Sequence, residues 1–141
     1  MSTEYVILIH DDESAWVDPA PGFPEATFAR HDEFTRLATD AGHRITGGGE
    51  LHKTPTARVV RPGATPAQAI VTDGPFAELA EQVGGYYVVE TGDLDGLLSV
   101  LGTAFAGSPE TFEVRAVVTS EDRATQDAAD QGAAGLSEVT A

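Results

Sequence analysis

From residue 5 the chain is apolar in both phases of a two-residue alternation. Tyr5, Ile7 and Ile9 fall on one side of a strand, Val6 and Leu8 on the other. Residues 5–10 are therefore expected to form a strand that must be covered on both faces. A loop rich in Pro, Asp and Gly leads to residues 25–41. There the stripe Phe34, Leu37, Ala38, Ala41 predicts a helix ended by Gly42, a good residue for the left-handed turn after a helix. Strand patterns follow at 44–51, 57–61 and 69–72, broken by Gly47-Gly48-Gly49 and by prolines, and again at 86–90. Asp93 can cap a second helix whose Leu94, Leu97, Leu98, Leu101 and Phe105 recur at helical spacing. Residues 112–118 alternate as a closing strand. The order predicts an α+β domain over residues 1–118, a ferredoxin-like split βαβ arrangement with two helices on one face of an antiparallel sheet. Two helices leave one sheet face open, yet the first strand is apolar on both. The open face is thus expected to meet a second copy, making a homodimer. Residues 119–141 lose all aromatics and are expected to be a flexible, acidic, Ala/Gly-rich tail, or at most a short surface helix.

Charge narrows the functions. Eight Lys and Arg stand against 23 Asp and Glu, a net charge of −15 among 141 residues. Nucleic-acid binding depends on cations that neutralise phosphates, so no nucleic-acid partner is expected, nor docking to an anionic membrane. No apolar run approaches the roughly 18–20 residues that span a bilayer, and the N-terminus does not read as a secretion signal. A cytoplasmic protein is the expectation. The absence of cysteine removes disulfides, thiolate metal sites and a cysteine nucleophile.

The common phosphate-loop, dinucleotide, zinc-protease and serine-hydrolase motifs are missing. The segment Val71-Thr72-Asp73-Gly74-Pro75-Phe76-Ala77-Glu78, with Glu81 and Gly84-Gly85-Tyr86-Tyr87 after it, resembles the DGPF branch of the YCII-related family. The likeness also takes in Asp12-Glu13, Phe34, Gly42, Gly48-Gly49-Glu50-Leu51 and Glu113-Val114-Arg115. It departs at Ala80, where the family often has Lys, and at Ala116, where a proline commonly follows Val-Arg. The resemblance implies a dimeric α/β barrel. It also implies lyases or hydrolases acting on small unsaturated acids through a His–Asp acid/base pair, here His31 and Asp12.

Each candidate residue also has a plainer reading. His31 is either the acid/base or a helix-edge histidine bonded to a neighbour. Asp73 and Phe76 form either a pocket wall or turn chemistry. Arg115 either clamps a substrate carboxylate or pairs with Glu113 in a dimer interface. Glu50 is a further candidate for the pocket. His10, Asp12, Glu50 and His52 have metal-ligating side chains, but scattered over so acidic a chain they imply no metal. The functional expectation is a small-molecule-binding protein, either a cofactor-free lyase, isomerase or hydrolase, or a ligand-sensing accessory protein linked to alternative sigma factors.

Overall fold

The computed structural model describes residues 1–140, with side chains for residues 1–132. Strand β1 (Thr3–Asp11) leads through a single 3-10 turn, Glu13–Trp16, to helix α1 (Phe23–Asp40). Strands β2 (Arg44–Glu50), β3 (Arg58–Arg61), β4 (Ile70–Asp73) and β5 (Gln82–Thr91) precede helix α2 (Leu94–Ala104), strand β6 (Thr111–Ala116) and helix α3 (Ser120–Thr140). Helix α1 starts two residues before the expected position, because Pro24 is tolerated in a first turn, where its missing N–H has no partner to lose. Gly42 follows α1 at φ 87°, the left-handed conformation that stops the helix.

Four strands form one antiparallel sheet in the order β2-β5-β1-β6. This is the ferredoxin-like order, with β1 and β5 at the centre. The register places Ile7 between Tyr87 and Val114, and Ile9 between Gly85 and Phe112. That face carries the core: Ile7 and Val89 are fully buried against Phe34 and Ala38 of α1 and Leu97 and Leu101 of α2. Both helices therefore cover the same face, as the two apolar stripes predict. The opposite face presents a half-buried apolar centre of Val6, Leu8 and Val88. At its margins lie the ion pairs Arg44–Glu90 (3.4 Å) and His10–Glu113 (3.0 Å).

Strands β3 and β4 form a separate two-stranded ribbon inserted between β2 and β5. Its Val60, Ile70 and Val71 are exposed, as is Phe76 beyond it. Helix α3 begins with a reciprocal cap in which Thr119 and Asp122 exchange hydrogen bonds of 3.0 Å, and its residues up to 132 are exposed. Of the 119–141 tail, residue 141 and the side chains of 133–140 lie outside the described part. Among the described residues no helix is long and apolar enough to cross a membrane.

Candidate functional site

A cavity of about 280 Å³ opens where the end of β1, the start of β5 and the first half of α1 converge. It exists because β5 reaches this end with Gly84 and Gly85, which project no side chain. A Cβ on Gly85 would sit 2.9 Å from the Gly49 carbonyl oxygen and 3.5 Å from Ile9, so the strands close tightly beside the hole. Ile9, Trp16, Phe28 and Leu51 make its walls largely apolar.

One polar chain crosses it. His31, on the inward edge of α1, holds Nδ1 at 2.6 Å from the Tyr87 hydroxyl and Nε2 at 3.0 Å from Glu110 Oε2. The Glu110 side chain is 5% exposed, and its other oxygen accepts from Ser108 Oγ at 3.0 Å. A carboxylate so buried requires a donor, so the ring carries its proton on Nε2 and accepts the Tyr87 hydrogen at Nδ1. Phe105 packs edge-on against the ring with centroids 4.8 Å apart and fixes its plane. The Tyr87 phenol is pushed up to about 12, first by burial and then by the carboxylates of Glu110 and Asp32, so it stays protonated across the physiological range.

A second polar group lines the cavity. The buried Asp11 carboxylate accepts from Trp16 Nε1 at 2.8 Å and from the Asp12 amide at 2.9 Å. Trp16 in turn lies under Lys53, whose Nζ is 5.0 Å from the ring. Glu13 ties down the neighbouring loop by accepting from the amide (2.8 Å) and hydroxyl (2.6 Å) of Thr54.

Of the residues singled out from sequence, His31 and Glu50 line this cavity. Asp12 does not line it. Its carboxylate accepts from the amide (2.9 Å) and hydroxyl (2.7 Å) of Ser14, contacts that hold it below the usual carboxylate range. The carboxylate against His31 is that of Glu110. Asp73 lies on the ribbon with Arg58 at 3.1 Å, and Phe76 is 81% exposed, so neither borders the cavity. Arg115 stands opposite Val6 on the uncovered sheet face, and its expected partner Glu113 bonds His10 instead. Among the described residues no cluster of three or more His, Asp or Glu is placed to hold a metal ion.

Asp11, Tyr87, Glu110 and Lys53 also line the cavity, although no sequence motif marks them as doing so. The inward phase Ile7, Ile9 continues to Asp11 and could have found it. Tyr87 follows from pairing opposite Ile7, which requires the register. Glu110 precedes β6 and carries no local signal.

The fold and cavity define a ferredoxin-like α+β domain with a candidate small-molecule site at one end of the sheet. A model of the YCII-related domain matches residues 3–121, and the chain belongs to that family. A protein of Rhizobium meliloti (strain 1021), described as uncharacterised, is 30% identical over 113 residues, 79% of this chain and 89% of its own. The crystal structure of an unknown protein from Galdieria sulphuraria is similar with a TM-score of 0.44 at 8% identity. That likeness covers 84% of this chain and 47% of the other.

Proposed function

We propose that this chain is a small-molecule-binding member of the DGPF branch of the family, and a cofactor-free lyase, isomerase or hydrolase that works by proton transfer at His31. The carrying observation is the His31 imidazole held between a buried carboxylate and a phenol on the wall of an apolar cavity. Imidazole exchanges a proton near neutral pH, and a carboxylate behind it fixes the tautomer and stabilises the imidazolium. Glu110 fills the role that the resemblance gives to Asp12. Lys53 is the lining cation suited to an acid substrate, in place of Arg115. The Asp73-Gly74-Pro75-Phe76 run supports the branch assignment.

The test is thermal stabilisation by a panel of small unsaturated carboxylic acids and their amides. Binding to the folded state at 100 times Kd adds about 2.7 kcal/mol. A hit whose effect vanishes on filling the cavity with Gly84→Leu supports the reading. Stabilisation unchanged by that substitution would place the ligand elsewhere. The homodimer belongs to the same proposal: the Val6, Leu8, Val88 centre with its charged margin is a surface that a second copy would cover.

A further inference from the structure

We propose that the group meeting the reacting proton is the Tyr87 hydroxyl, with His31 behind it and Glu110 behind His31, a three-residue relay in which the tyrosine oxygen is the working base. This rests on the acid/base reading above and assigns its contact atom.

Both ring nitrogens of His31 are engaged, Nδ1 by Tyr87 at 2.6 Å and Nε2 by Glu110 at 3.0 Å. The neutral ring therefore has no lone pair left for a substrate. Tyr87 lines the cavity, and its oxygen, having given its hydrogen to Nδ1, keeps lone pairs of its own. Glu110 is locked from behind by Ser108, which donates to Oε1 and accepts from the Glu110 amide at 3.1 Å. The chain Tyr87–His31–Glu110–Ser108 thus has a single open end, and that end is the phenol.

In the step, a substrate proton passes to Tyr87 Oη while the Tyr87 proton passes to His31 Nδ1. The electron pair left on the substrate forms its new bond or expels its leaving group. The product state holds a neutral phenol, an imidazolium and the Glu110 carboxylate, so one negative charge moves to the substrate and one positive charge is paired with Glu110. The reverse transfers restore the relay. Because the phenol stays protonated up to about pH 12, it acts as a conduit and never as a stored phenolate.

A direct probe is 5-nitrobenzisoxazole, a planar bicyclic compound suited to an apolar cavity of about 280 Å³. Removal of its ring C–H proton forms a nitrile, breaks the N–O bond and releases a coloured phenolate. The full-length wild type, His31→Ala and Tyr87→Phe are compared by initial rates, in H₂O and D₂O. The relay predicts that both variants lose the same factor, about 10²-fold or more. It also predicts a normal solvent isotope effect in the wild type, since the exchangeable Tyr87 hydrogen moves in the step. A Tyr87→Phe variant that keeps its rate while His31→Ala loses it, or a solvent isotope effect of unity, overturns the relay and leaves His31 as the direct base. A wild type no faster than His31→Ala overturns the acid/base reading and the relay together. The isotope effect is read on the wild type alone, so the result does not hang on either variant folding.

Discussion

The imidazole of His31 and the carboxylate of Glu110 meet at 3.0 Å although 79 positions separate them in sequence. One residue sits on the inward edge of α1, the other in the connection entering β6, and only the closed fold joins them. Glu110 is the more buried partner. The pair is therefore a stability element in its own right, because either residue alone would leave a polar group stranded.

His31→Ala removes the donor to a buried carboxylate and should destabilise the fold by about 1–3 kcal/mol. Glu110→Gln keeps an acceptor for Nε2 and a partner for Ser108, so its loss should be nearer 1 kcal/mol. Urea denaturation of both variants measures the contrast. Equal losses would show that the charge, and not the hydrogen bond, is what the site requires.

Alkaline pH should act through Tyr87. Its phenol is raised from 10.0 in the unfolded chain to about 12 in the fold. The stabilisation from holding it protonated is complete below about pH 10 and is lost as pH rises towards 12. Phenolate absorbance should show a step near pH 12 that Tyr87→Phe abolishes, and the stability of that variant should fall less steeply over the same window. A Tyr87→Phe titration identical to the wild type would refute the assignment.

The uncovered sheet face makes a prediction about mass. Sedimentation at micromolar concentration should report about twice 14.7 kDa, and Leu8→Glu, which places a charge at the centre of that face, should return the species to 14.7 kDa without loss of helix signal. A wild-type monomer would remove the dimer proposal.

Truncation after Thr119 should leave Tm within about 2 °C of the full chain, because the residues of α3 up to 132 are exposed and the family match stops at 121. Calorimetry decides it. A drop several times larger would mean that α3 docks on the domain or its partner.

Much of the fold was legible because burial imposes periodicity. The apolar run of β1, the stripe of α1 and the leucine series of α2 each announced their element, and the two helix stripes also announced their buried sides. The ribbon strands were legible too, since prolines and glycines bracket them. The site was less so. His31 showed itself by standing beside an apolar stripe, but its partners obey no local rule. Tyr86 and Tyr87 are indistinguishable in sequence, and only the pairing of Ile7 with Tyr87 turns one inward. At the end of β1 the strand alternation selects Asp11 for the cavity, whereas the family likeness selects Asp12, which the 3-10 turn takes as its cap. The Asp73-Gly74-Pro75-Phe76 run drew attention by its specificity, yet its place on a separate ribbon keeps it from bordering the cavity.

The insertion of that ribbon between β2 and β5 gives the cavity walls of two origins. His31 and Tyr87 sit on core elements whose positions are fixed by the sheet, while Leu51 and Lys53 belong to the 51–81 connection, which makes a sheet of its own. On the proposed reading, changes in that connection would alter what enters without moving the His31–Tyr87 pair, so selectivity and proton transfer would be separately heritable. New ligands would then be acquired by rewriting one excursion of the chain while the hydrogen-bonded pair on the core elements stays in place.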